Sequence, residues 1–123
     1  MPTVSVHNAP LFEAGGGTTI TGLAAPSRGA RDVALWRVRF APNAASPTHS
    51  LTREETFLVL SGSVTARFAD HVETANPGDA LIVPAGAEFS LVAADGPAEA
   101  ICAMPVGGQA VTADGAFTPP WAQ

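Results

Sequence analysis

The chain has no lysine. That removes Schiff-base chemistry and any phosphate-binding loop that relies on a lysine. All six cationic side chains are arginine, set against eleven carboxylates, for a formal net charge of −5. Nucleic-acid binding needs clustered cations to displace counterions from phosphates, and only scattered pairs such as Arg37 and Arg39 are present. No nucleic-acid partner is expected. Cys102 is the single cysteine, which excludes an internal disulfide and a thiolate metal cluster and suits a reducing cytoplasm. Long hydrophobic runs are missing as well. Stretches such as Phe57–Leu60 and Ala80–Val83 fall far short of the ~20 residues that span a bilayer. No charged region followed by an apolar run stands near the start, so neither a secretory signal nor a membrane association is expected. There is no Gly-x-Ser-x-Gly elbow to support a Ser–His–Asp hydrolase.

What is present is enough apolar material, 46% of 123 residues, for one hydrophobic core. Twelve glycines and eleven prolines argue against long helices. No fixed-period repeat and no linker divides the chain. A single domain over 1–123 is expected, with N-terminal strands and loops in 1–31, a barrel core in 32–105 and a tail in 106–123. The glycine-rich Ala14–Thr18 reads as a loop between a strand near Thr3–His7 and another near Thr18–Leu23. Ala24–Ala30 reads as a turn.

From Asp32 onward the pattern has period two, the strand period. Trp36, Val38 and Phe40 fall on one face and Arg37 and Arg39 on the other. Val64, Ala66 and Phe68 alternate with Thr65 and Arg67, and Phe89 and Leu91 with Glu88 and Ser90. Phe57–Leu60 and Leu81–Val83 are apolar at every position, which implies cover on both faces. Turn residues recur at short spacing, as in Ser61-Gly62, Asn76-Pro77-Gly78-Asp79 and Pro84-Ala85-Gly86. Many short strands joined by such turns indicate an all-β sandwich or barrel.

Two stretches are more specific. One runs from His49 through Leu51 and Glu55 to Gly62; the other runs from Gly78 through Pro84 and Gly86 to Phe89. Together they resemble the two motifs of the cupin superfamily, G-x5-H-x-H-x3–4-E-x6-G and G-x5-P-x-G-x2-H-x3-N. The resemblance covers roughly Trp36 to Pro105. It implies a double-stranded β-helix barrel of jelly-roll type, commonly a homodimer, with a pocket between two sheets.

Metal-binding members of that superfamily use two histidines and a glutamate from the first motif and a histidine from the second. By that resemblance His49 and Glu55 keep their positions. Leu51 stands where the second histidine belongs, Phe89 where the third belongs, and Ala93 in place of the asparagine. Two donors are a poor cage for a divalent ion, because a catalytic zinc usually has three protein ligands and the facial iron triad also needs three. No cofactor is therefore expected; His49 and Glu55 are the residues that would hold a divalent metal if one binds. His7 and His71 read as solvated or edge histidines.

His49 and Glu55 can instead be a proton-transfer pair. An apolar wall would raise the glutamate pKa by desolvation, and a nearby imidazolium would lower it. The expected ligand pocket is apolar: Trp36, Phe40, Leu51, Phe57, Phe68, Phe89 and Leu91. Concave apolar sites with few polar groups suit small organic molecules. A small-molecule-binding cupin is the favoured expectation. The alternatives are a cupin enzyme of isomerase, epimerase, lyase or dioxygenase type acting through His49 and Glu55 with or without a residual metal, and a structural or interaction subunit without ligand. Cys102 reads as a packed thiol. Phe117 and Trp121 are expected to dock the tail on its own barrel or on a partner copy.

Overall fold

The alternation that begins near Asp32 becomes strand, and so does much of the chain before it. In the computed structural model, which describes residues 2–123, β1 (Leu11–Gly15), β2 (Thr18–Ala24) and β3 (Val33–Phe40) form an antiparallel meander. β4 (Ser50–Leu51), β5 (Glu55–Ser61), β6 (Val64–Phe68), β7 (Val72–Ala75) and β8 (Ala80–Val83) follow. The order ends with β9 (Phe89–Val92), β10 (Ala98–Pro105), β11 (Ala110–Thr112) and β12 (Gly115–Phe117). Helical structure among the described residues is limited to three short 3-10 turns. Residue 1 lies outside the described residues.

Six strands form one sheet in the order β1-β2-β3-β10-β5-β8. Two three-stranded sheets, β7-β6-β9 and β12-β11-β4, complete the set. Residues 44–51 tie these two together. His49 exchanges both backbone hydrogen bonds with Phe89 of β9, at 3.0 and 2.9 Å, and the next two residues enter β4 beside β11. The layers enclose one hydrophobic cluster that runs from Ile20 to Ala122. It includes Trp36 and Phe40 of β3, Cys102 and Met104 of β10, Phe57 and Val59 of β5, and Phe89 of β9. The result is a jelly-roll barrel.

Two expectations fail. No strand forms at Thr3–His7: Val6–Asn8 is a 3-10 turn whose preceding Ser5 hydroxyl accepts from the His7 amide at 3.3 Å. The first strand waits until after Pro10, whose carbonyl accepts from the Gly22 amide. Prolines donate nothing to a ladder, so the sheet starts beyond Pro10. The second failure concerns β5 and β8, which are not covered on both faces. Leu58, Leu60 and Ile82 are exposed and alternate with buried Phe57, Val59, Leu81 and Val83. The six-stranded sheet has a layer on one side only, so unbroken apolar sequence here records an apolar outer surface.

The marker glycines differ in what they contribute. Gly62, between β5 and β6, has a φ of 68°, and a Cβ there would collide with the Pro97 carbonyl oxygen. Gly86 has a φ of 82° but open space around it. The first needs glycine for room as well as for backbone angle.

Candidate functional site

His49, Leu51 and Glu55 reach one cavity because the segment carrying them is broken twice. The ladder to β9 is interrupted at Pro47, and the Ser46 hydroxyl accepts the Leu91 amide at 2.8 Å. Just beyond, His49 Nδ1 lies 2.8 Å from the Pro47 carbonyl oxygen. A carbonyl only accepts, so Nδ1 carries the proton and Nε2 of the neutral ring keeps its lone pair. The second break is the turn after Leu51. There the Thr52 amide donates to the Gln109 carbonyl at 2.9 Å, and the Thr52 hydroxyl accepts the Gln109 amide at 2.8 Å. This bend turns Arg53 and Glu54 into solvent and returns Glu55 to the interior. It is the departure from alternation that the shared parity of residues 49, 51, 53 and 55 demands.

Glu55 is the chemically unusual residue. Its relative exposure is 6%, its carboxyl makes no hydrogen bond to another described residue, and burial pushes that carboxyl up to about 8. At neutral pH the group is largely a neutral acid, able to donate. Cys102 on neighbouring β10 is fully buried; burial first, and then the charge of Glu55, raise its thiol. It is a packed, protonated thiol and no nucleophile.

A cavity of about 190 Å³ holds both His49 and Glu55 on its wall. Of the expected pocket residues, Trp36, Phe40, Leu51, Phe57 and Leu91 line it. Phe89 and Phe68 do not. Phe89 is completely buried behind His49, with ring centroids 4.5 Å apart. Phe68 stacks on His71 at 4.8 Å and lines a separate, more open cleft of about 430 Å³. That cleft is larger but has no unpaired buried acid or base. Its Asp70 carboxyl is held below the usual carboxylate range mainly by the hydrogen bond to His71. The parity of β6 and β9 is read correctly from the sequence; which of the two concavities each ring serves depends on the curl of the sheet.

Phe117 and Trp121, expected to dock the tail on the barrel, line the cavity, and so do Thr18 and Ser46, which the sequence did not single out. Ile20 could have been found by parity, since β2 pairs it with Val38. The Ser46 hydroxyl is occupied by Leu91, while the buried Thr18 hydroxyl has no partner among the described residues.

The donor set does not fit the divalent metal that the resemblance implies. Among the described residues no group of three His, Cys, Asp or Glu side chains is placed to hold an ion. Leu51 has 3% exposure and Phe89 none, so hydrocarbon fills the two positions where imidazoles would coordinate. Asn43, six residues before His49 at the first motif's leading glycine position, still adopts a φ of 62°. Asparagine tolerates that left-handed conformation, so the turn survives the substitution.

The cupin domain model matches residues 36–104, more than half of the chain. Solved structures with the same fold include the polyketide cyclase RemF from Streptomyces resistomycificus, with 24% identity and a TM-score of 0.75. The match covers 85% of this chain and 79% of that one. KdgF from Halomonas sp. is similar at 17% identity and a TM-score of 0.73, over 85% of this chain and 93% of that one. An RmlC-like cupin from Shewanella frigidimarina gives 15% identity and a TM-score of 0.69, over 80% and 85%. No curated protein sequence matches the chain. No helix among the described residues is long and apolar enough to cross a membrane.

Proposed function

The chain belongs to the cupin family, and on that premise we propose that it binds a small, uncharged organic molecule in the His49–Glu55 cavity and can move a proton on it. The observation that carries this reading is a buried carboxyl without a protein partner on an otherwise aromatic and aliphatic wall. An unpartnered buried acid costs stability, so its retention calls for a ligand atom that accepts from it. Glu55 and His49 are also opposite in kind. Glu55 holds a proton to give, whereas His49 Nε2 holds a lone pair to receive one. A proton donor and a lone-pair acceptor on one wall serve as acid and base in one step.

In that step the Glu55 carboxyl protonates a ligand oxygen while His49 takes a proton from the ligand elsewhere. The ligand keeps its composition and is isomerised. Glu55 is left ionised and His49 charged, and exchange with solvent resets both. The step is written without a metal, since His49 and Glu55 are two donors where a catalytic metal usually has three protein ligands. The free Cys102 thiol suits a reducing compartment such as the cytoplasm.

The test is binding followed by exchange. Native mass spectrometry against a panel of uncharged aryl ketones should give a one-to-one complex. Proton NMR in deuterated water should then show deuterium entering beside the carbonyl of the bound compound. Glu55→Gln and His49→Ala should each abolish the exchange while the complex persists. A chain that binds no member of the panel would remove the reading.

A further inference from the structure

Trp121 enters the cavity wall from the far end of the chain, in the 3-10 turn Pro120–Ala122. Its ring meets Phe12 edge-on at 6.2 Å and lies tilted by 56° against Trp36, with centroids 6.5 Å apart. This position is held by polar contacts that the aromatic packing does not need. Arg28 Nε donates to the Leu23 carbonyl at 3.0 Å, and its Nη2 donates to the Trp121 carbonyl at 3.3 Å. Beside it, the Ser27 amide and hydroxyl both donate to the Gln123 carbonyl, at 3.2 and 2.7 Å. The guanidinium lies directly over Gly22 of β2. A Cβ at Gly22 would come within 2.7 Å of Nη2 and 3.3 Å of the Phe12 ring. The absence of a side chain at residue 22 is what lets the arginine span from β2 to the last turn.

The consequence is a wall of fixed, flat π-surface. Trp36 and Trp121 present two mutually tilted indoles, and Phe40 and Phe57 continue the surface. Aromatic faces attract planar rings in offset or edge contacts beyond what buried area alone supplies. A puckered saturated molecule of equal size gains no such contact. We propose that Trp121, positioned by Arg28 across Gly22, is the wall that selects planar aromatic molecules for this cavity. The proposal rests on the ligand-binding reading above and names the class of ligand. Trp121 touches the ligand; Arg28 acts through Trp121 and is a positioning residue.

The test compares 2-naphthol with its saturated analogue, decahydro-2-naphthol, by calorimetric titration of the full chain. The native chain should prefer 2-naphthol by about tenfold or more. Trp121→Leu should remove that preference, weakening 2-naphthol by a clearly larger factor than the saturated compound. Arg28→Leu should weaken 2-naphthol by about threefold to tenfold, with partial recovery in Arg28→Lys. Gly22→Ala should reproduce Arg28→Leu, because it displaces the guanidinium without removing a hydrogen-bonding group. Thermal unfolding of each variant reports folding separately, and Trp121→Met, which is also without an aromatic face, serves if the leucine variant does not fold. A native chain that binds neither compound overturns this inference, and if it also binds no aryl ketone the ligand-binding reading falls with it. A native chain that binds both but keeps its preference in Trp121→Leu, or is unmoved by Arg28→Leu and Gly22→Ala, overturns this inference alone.

Discussion

His49 and Phe89 are bridge partners: they exchange backbone hydrogen bonds at 3.0 and 2.9 Å, and their rings tilt together with centroids 4.5 Å apart. A phenyl ring therefore occupies space beside the imidazole where a second imidazole would share an ion. Leu51, two residues after His49, removes another donor from the same wall. The double substitution Leu51→His with Phe89→His is expected to create a site with three histidines and Glu55. Elemental analysis of tag-free protein after zinc or nickel loading and dialysis should find near-stoichiometric metal on the variant and little on the native chain. Stoichiometric metal on the native chain would contradict our reading of the donor set.

Glu55 makes stability depend on pH. Its folded value is about 8 against an ordinary 4.5, so between those limits the folded chain holds a proton that the unfolded chain has released. Stability is then greatest below pH 4.5 as far as this group is concerned. It falls as pH rises through the window, by up to about 1.4 kcal/mol per unit, and changes no further above pH 8. Glu55→Gln keeps the shape of the neutral acid and should flatten this slope. Melting temperatures from pH 5 to 8.5 would check it, and parallel curves for the two chains would refute it.

The outer side of the six-stranded sheet is apolar where water would favour polar groups. Leu58 pairs across to Ile101 and Ala80, and Ile82 sits one row away beside Thr56. The charged groups on this face are Arg37 and Arg39 on β3, Glu99 on β10 and Glu13 on β1, which balance, whereas the chain as a whole stands at −5. Two copies of an acidic chain approach each other with least repulsion through this surface. We expect a homodimer formed here. Leu58→Glu and Ile82→Glu should convert it to monomer in light scattering, with near-native far-ultraviolet circular dichroism. A native chain that is monomeric at high concentration would dismiss this arrangement.

Gly62→Ala should cost more than Gly86→Ala. Both force alanine into left-handed backbone, at about 1–2 kcal/mol each. Only at residue 62 does the new methyl also meet the Pro97 carbonyl. Urea unfolding should rank the two, and equal midpoints would show that the strand above Gly62 yields freely.

The architecture was legible because its signals are local. Alternation in Trp36–Phe40, the Gly78–Pro84–Gly86 frame and the Glu55–Gly62 spacing each bear on neighbouring residues and agree with one another. The cavity was legible in part. His49, Leu51 and Glu55 come from one segment, and their meeting was readable from parity plus a bend. The roles of Phe68 and Phe89 were not, since both lie on inward faces and only sheet curvature separates core from cavity wall. Leu58 and Ile82 misled for a related reason: apolar sequence does not distinguish a covered face from an outward one. That Trp121 docks was readable from an aromatic tail, but its route through Arg28 and Gly22, about a hundred residues away, was not, because no local pattern pairs them.

The chain has two tryptophans and no tyrosine, and both indoles stand on the cavity wall. Its near-ultraviolet emission therefore arises at the site itself, with no background from elsewhere in the barrel. Any occupant that reaches Trp36 or Trp121 will quench or shift that light, so the molecule carries its own optical gauge of occupancy without a label.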